Sequence, residues 1–512
     1  MLPVIRSLAL GLALAGAAFC AEGPPAKPAA RVEGQRLGPA HENATKAAAC
    51  PAAARIAYVI AKGDKQLAVV DGQPGPEFDE IVGRTPVFSP DGKHVAYAGR
   101  RGEKRVMLID GKEGPPFDRV GADGPVFSTD GQHAAYLAKA GDQFLVVADG
   151  QPGMPCDEIQ DARLVYSPQG NRLAYVARTG QKWSAVVDGK PEPPYDEVTD
   201  FAFSPDGQRT VYLARKDEKD FLVLDGKPGQ EHDGVQPGSI AFSPDGRRLA
   251  YAAREAGKGF LVVDGQPGKP AEWSISGRPV FSPDGKHLAY VCCVVEGPEE
   301  RDNVWEFVVL DGRPEPRYDG VDEDALRFSP DGSHLAYVAY EGDPEIVLQW
   351  FAVVDGKPGP KHVSIGQDRV IFAPGGKHMA YRAQTEGKWC VVMDDRPGPG
   401  YDYVADLRFS PDGLRWAHVA EEGRKKRVVV DGQPGPLYGW AGAPVFSPDS
   451  AHVAHWAAPK DGQCIVVLDG EELPQFDMVI PAGPAFQADG SLGFLAIKDD
   501  AFYRVKAIPP AR

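Results

Sequence analysis

Four things are scarce in this chain: cysteine, basic charge, long apolar runs and helical periodicity. Each scarcity closes off a class of protein. The seven cysteines among 512 residues are scattered, apart from the adjacent Cys292 and Cys293, and no cluster of cysteine and histidine stands at metal-ligand spacing. They outline neither a disulfide framework nor a metal centre, and read as small strand residues. The 56 basic side chains are outnumbered by 72 acidic ones, a net charge of −16. That balance excludes a nucleic-acid partner, whose phosphates demand a basic face. Catalytic signatures are missing too: there is no Gly-x-Ser-x-Gly elbow, no His-Glu-x-x-His pair and no phosphate-cradling glycine loop. No cofactor and no metal are expected.

One apolar stretch stands near the start, from Leu8 to Ala18, 11 residues long. It is too short to cross a bilayer as a helix. Behind Arg6, and containing Ala15-Gly16-Ala17, it reads as a secretory signal peptide over residues 1–20. Cys20 invites lipid attachment, but bulky Phe19 precedes it where such processing wants a small residue, so lipid anchoring is disfavoured. Residues 21–45, rich in Pro, Ala and Gly, are expected to be a flexible leader. An exported protein, periplasmic or extracellular and without a transmembrane segment, is the expectation.

Glycine (59) and proline (48) are plentiful, and they recur in register. Ser-Pro-Asp-Gly begins at Ser89, Ser204, Ser243, Ser282, Ser329 and Ser410, with degenerate copies at Ser128, Ser167, Ala373, Ser447 and Gln487. A twelfth unit is marked by Cys50-Pro51. Successive steps are 39, 39, 39, 37, 39, 39, 47, 44, 37, 37 and 40 residues. A period of this size means an array of like supersecondary units.

Within one unit, Pro86-Val87-Phe88 is a short strand, and Ser89-Pro90-Asp91-Gly92 has the residues of a tight turn. His94 to Ala98 is a second strand, with large Val95 and Tyr97 alternating with small Ala96 and Ala98. Arg105 to Asp110 is a third, and a fourth follows the Asp110-Gly111 loop, starting at Arg119. Four antiparallel strands per unit make an all-β repeat. Sheets apolar on both faces need cover on both faces, which radial stacking supplies: a β-propeller.

The run Phe281 to Tyr290, Phe-Ser-Pro-Asp-Gly-Lys-His-Leu-Ala-Tyr, resembles the WD40-like repeat of TolB-type β-propellers, and the likeness covers nearly all of residues 46–507. The resemblance implies a propeller. It does not carry over the periplasmic partner-binding role of TolB proteins, whose N-terminal α/β domain has no counterpart here. The repeat is also similar to the propeller of prolyl-oligopeptidase-type peptidases, whose hydrolase domain is likewise absent. Propellers usually close with four to eight blades. Two six-bladed propellers, residues 46–278 and 279–512, are therefore expected, with seven-plus-five and one twelve-bladed ring as alternatives. The last unit lacks an evident fourth strand.

What recurs in nearly every unit is scaffold; what departs from the unit is a candidate site. Carboxylates eight residues apart, such as Asp110 and Asp118, recur in most units and read as turn residues. His94, His133, His287, His334, His378 and His452 share a position that Arg172, Arg209, Arg248 and Arg415 occupy elsewhere, so they read as a structural basic position and not as metal ligands. Two units depart by insertion, at Glu296 to Trp305 and Tyr340 to Trp350. These longer hairpins are expected to raise a wall carrying Glu299, Glu300, Asp302, Glu341, Asp343 and Glu345 beside Trp305, Trp350 and Tyr340, a mixture suited to a protein or glycan surface. A second candidate is an axial funnel with Arg84, Arg163, Arg278 and Arg369 among Asp161, Asp200, Asp368 and Asp406.

The expected function is a non-catalytic binding or scaffold protein, recognising a protein or, next, an envelope polysaccharide. A glycan hydrolase or lyase at an axial funnel is the enzyme alternative, and a purely structural module the third.

Overall fold

A computed structural model of the chain describes residues 30–39, 45–50, 55–121, 124–269, 273–296, 303–343, 347–367, 369–460, 463–480 and 483–510. The signal peptide, Cys20, Glu299, Glu300, Asp302, Glu345 and Asp368 lie outside them. The described chain is all β, apart from two single-turn 3-10 segments, and forms a twelve-bladed propeller of four-stranded antiparallel sheets.

Blade 4 shows the plan. Its first strand comes in two halves, Glu158–Ile159 and Val165–Tyr166, both paired with the second strand, Leu173–Thr179. The third is Lys182–Val187 and the short fourth is Lys190–Pro191. First strands of neighbouring blades touch one another, as they must where blades converge on an axis. In other blades, such as blade 5 with Glu197–Phe203, the first strand is continuous and carries a bulge instead of the break.

The cores lie between blades. Each second strand puts a large ring on one face and a small residue on the other. The ring enters the small-residue face of the blade before it: Tyr136 of blade 3 packs on Ala96 and Ala98 of blade 2, Tyr175 of blade 4 on Ala135, and Tyr212 of blade 5 on Ala174. Nine units place tyrosine here, at positions 58, 97, 136, 175, 212, 251, 290, 337 and 381.

Such a core joins every consecutive pair, and another joins blade 12 to blade 1 through Leu495, Phe502, Ile56 and Tyr58. The division expected near residue 278 falls inside the core shared by blades 6 and 7, where Ala250 and Leu261 meet Ile275 and Cys292. Two six-bladed rings would need blade 6 to return to blade 1, and no described core does so. The packing follows a single circuit of twelve.

Closure also corrects the reading of the leader. Residues Arg31–Pro39 form a strand that pairs antiparallel with the last strand, Ala501–Ile508, from Arg31↔Ile508 to Pro39↔Ala501. This is the fourth strand that the last unit lacks. The segment has too few large apolar residues to announce itself, yet Val32 packs into the blade 11–12 core and Leu37 into the blade 12–1 core. Their alternation is what a strand between two cores requires.

Deleting residues 30–39 should bare the Ala501–Ile508 edge. A lower melting temperature and concentration-dependent association are expected, read by calorimetry and gel filtration. A second expectation concerns His418 and His455, which stand in blades 10 and 11 where other blades have tyrosine. Burial pushes each down to about 4. An unfolded histidine titrates near 6.5, so the unfolded chain binds protons that the native one refuses. Stability should be full above about pH 6.5 and fall as pH drops toward 4, by on the order of 3 kcal/mol per histidine. Thermal melts of the His418→Tyr/His455→Tyr double variant should show a shallower loss over that window.

Candidate functional site

The repeated polar groups resolve into scaffold. In the Ser89 turn, the buried serine hydroxyl donates to Asp91 Oδ1 at 2.6 Å and accepts from the His94 amide at 3.0 Å. Neighbouring turns abut: a Cβ on Gly131, whose φ is +73°, would come within 2.6 Å of Asp91 Oδ1 in the blade before. The basic position closes the next link. Arg172 pairs with Asp188 at 3.1 Å, donates to the Gln208 carbonyl of the following blade at 2.9 Å, and lies 5.3 Å over its Phe203 ring. His94 makes the same contact with Asp110, at 2.6 Å. The carboxylates spaced by eight are occupied too: Asp110 accepts the Val95 amide, and Asp118 accepts the Gly141 amide and Lys104.

The insertion residues do not form a flat aromatic patch. Trp305 is half-buried against the blade 6–7 core, and Trp350 against the blade 8–9 core. Tyr340 lies 4.7 Å from Trp350 between ring centroids and covers Gly320, where a Cβ would sit 2.0 Å from its ring. These rings therefore fill space that glycine leaves. Glu341 is paired with Lys361 at 2.7 Å. The base of the blade 7 hairpin, however, presents exposed Val295 and Val304 side by side.

The funnel arginines are spread over blades 2, 4, 7 and 9. Arg369 is clamped between Asp322 (2.8 Å) and Asp324 (3.2 Å) of blade 8. Arg84 and Arg278 are exposed and stand on separate blades. Asp406 lines a separate recess with Arg382 and Tyr403. Only Arg163 joins a larger site, together with Asp161 and Asp200.

That site is a cavity of about 570 Å³ across blades 4 to 6, lined by Asp161, Arg163, Asp200, Arg215, Asp220 and Arg254 among others. A second cavity of about 510 Å³, between blades 6 and 7, adjoins it and shares Gly234, Val235, Pro237 and Arg254. Trp273, Ile275, Ser274 and Cys293 line it, with exposed Val295 at its rim. Together they make a groove beside the extended hairpin, with Arg254 at the junction.

Most charges in the groove are already engaged. Arg215 donates to Asp220 at 2.7 and 3.2 Å and to Glu197 at 3.1 Å. Buried Asp220 also accepts the Val235 amide, and Asp200 accepts the Gly238 amide. Asp233 is held below the usual carboxylate range, first by Lys219 and then by the Ala256 amide, with Arg254 contributing at longer range. Arg163 and Arg254 make no side-chain hydrogen bond or ion pair among the described residues.

Arg254 is the departure that turn spacing does not reveal. In blades 4 and 5 its equivalents, Arg178 and Arg215, are restrained twice. Arg178 is paired across the sheet with Glu158, donating at 2.7 and 3.0 Å, and lies 5.7 Å from the Trp183 ring on its other side. Arg254 faces Gly234 on one side and Gly259 on the other. The two glycines remove the carboxylate and the aromatic cover: the guanidinium lies over Gly234, and the Trp273 carbonyl of blade 7 closes on Gly259, where a Cβ would meet it at 2.9 Å.

Arg215→Gln should strand the buried Asp220 carboxylate and cost about 1–3 kcal/mol in urea melts. Arg254→Gln should change stability by less than about 0.5 kcal/mol.

No family model matches the sequence, and no curated protein is similar to it in sequence. Solved structures are similar in fold. They include the β-propeller domain of the Trilobed protease from Pyrococcus furiosus (14% identity, 59% of this chain and 92% of that one, TM-score 0.27). TolB from Acinetobacter baumannii has 15% identity over 58% of this chain and 77% of its own, with a TM-score of 0.19. An oligogalacturonate lyase in complex with manganese has 13% identity over 68% and 98%, with a TM-score of 0.26.

Proposed function

We propose that the protein is an exported, non-catalytic binding module, that the groove on the hairpin side of blades 4 to 7 is its site, and that its partner is a protein. The observation that carries this reading is the coincidence of three departures from the repeat in one place. Blade 6 has lost both restraints on Arg254, two cavities open beside it, and blade 7 extends its hairpin with exposed Val295 and Val304 at the rim. Engaged charge around a recess of mixed polar and apolar lining suits a recognition surface.

Export is supported by Arg6 and the Leu8 to Ala18 stretch. No helix among the described residues is long and apolar enough to cross a membrane.

The enzyme reading, a glycan hydrolase or lyase, needs a carboxyl poised to give a proton at neutral pH beside one that stays ionised. In the groove Glu197 and Asp220 hold Arg215, Asp200 holds a backbone amide, and Asp233 is shifted down. Among the described residues, the carboxyls that burial pushes up, Glu315 and Asp395, lie outside it. These observations favour binding over turnover.

Chain beginning at residue 30 and immobilised on a resin should capture one protein from an envelope extract of the source cells. Capture should fail with Arg254→Gln and with residues 297–302 removed, at unchanged melting temperature. Turnover of an envelope polysaccharide, or capture indifferent to both changes, would overturn the reading.

A further inference from the structure

We propose that the groove seats the single carboxylate of a peptide on Arg254, with the aliphatic side chain that follows it filling the cavity beside Trp273; this rests on the groove being the protein-binding site. The argument begins with register. At the same pair of cross-strand positions, Arg178 has Glu158 and Trp183, Arg215 has Glu197 and Asp220, and Arg254 has Gly234 and Gly259. In blades 4 and 5 the cation is answered from within the sheet. In blade 6 the answering carboxylate is deleted while the cation and the space around it are kept. A guanidinium presents parallel donors that match one carboxylate in the plane of its fork. A ligand carboxylate would therefore take the place that Glu158 takes beside Arg178.

Charge sets the size of the anion. Asp161, Glu197, Asp200, Asp220 and Asp233 line the first cavity, and the whole chain carries −16. A doubly charged phosphate would meet these carboxylates with twice the repulsion. A singly charged carboxylate gains the free guanidinium at the least cost.

The neighbouring cavity sets what accompanies it. Trp273, Ile275, Cys293 and Val295 give it an apolar side, while Ser274 and Gln236 are the neutral polar side chains of its lining. Trp273 is half-buried and packs at a steep angle against Phe307, with ring centroids 5.5 Å apart. An aliphatic group on that apolar side gives up no hydrogen bond, whereas a hydroxyl-rich ring laid on it would bury polar groups there without partners. A carboxylate next to an aliphatic side chain is peptide chemistry.

The test re-installs the repeat. Gly234 has no positive φ, and a Cβ there would first meet Arg254 Nη2 at 3.5 Å, so Gly234→Glu fits and restores the clamp of blades 4 and 5. Calorimetric titration of the full mature chain would use acetyl-Ser-Gly-Asp-Leu-Gly-Ser-amide, the same peptide with Asn for Asp, and a uronic-acid trisaccharide. Saturable binding of the Asp peptide is expected, at least about tenfold weaker with Asn. Gly234→Glu and Arg254→Gln should each weaken it about tenfold or more at unchanged melting temperature. Equal affinity for the Asp and Asn peptides, or indifference to both variants, overturns the proposal. Tighter, Arg254-dependent binding of the trisaccharide also overturns it, in favour of an acidic sugar. Absent peptide binding alongside Arg254-dependent capture of a protein refutes the peptide chemistry and leaves the groove standing. Loss of that capture dependence refutes the groove itself.

Discussion

Everything in this ring depends on one contact made again and again: a tyrosine-sized ring pressed into the alanine face of the blade before it. A lone four-stranded sheet with both faces apolar would not be stable in water. Here each face finds a complement, large against small, and the complement is directional. Tyr175 needs Ala135 behind it, and Ala174 needs Tyr212 ahead. A head-to-tail contact of this kind either closes on itself or runs on without end. Closure comes where Tyr58 meets Phe502, with ring centroids 5.2 Å apart. The serine turns and the arginine bridges to Phe203, Phe242 and Phe281 then fix the ends of the blades to one another.

Much of this was legible in the sequence because a repeat writes the same instruction many times. The serine turn, the paired strands of each unit and the structural use of the aspartates and histidines all follow from residues that recur. Ring size was less legible. It depends on the small angle each blade makes with the next, and no single residue records that angle. The closing strand was hidden for a different reason. Arg31–Pro39 carries Gly34, Gly38 and Pro39, a composition that reads as linker, and it gains its place from a partner almost five hundred residues away.

The groove shows what aligning the turns alone misses. Counting from turn to turn finds insertions, and these led to Trp305, Trp350 and Tyr340, whose rings turn out to pack inward. Aligning the strands position by position finds substitutions within a constant length. Gly234 and Gly259 change no spacing at all, yet they alter the surroundings of Arg254 more than any insertion does. That signal was present in the sequence, needing only the cross-strand register to read it. Arg163 was found as one of the funnel arginines, and its neighbours Asp161 and Asp200 came with it.

The pairing of Arg31–Pro39 with Ala501–Ile508 has a consequence for the birth of the molecule. The strand at Arg31–Pro39 must wait for its partner at Ala501–Ile508, so the closing blade cannot be completed until all the chain between them has been made. Earlier blades can stack as they emerge, each covering one face of its predecessor, but the growing arc keeps two bare apolar ends until the last strand arrives. Joining those ends closes a loop of the whole chain, the largest entropic step in the assembly. The protein thus has a long vulnerable adolescence, in which an unfinished arc offers its sticky face to any other unfinished arc nearby.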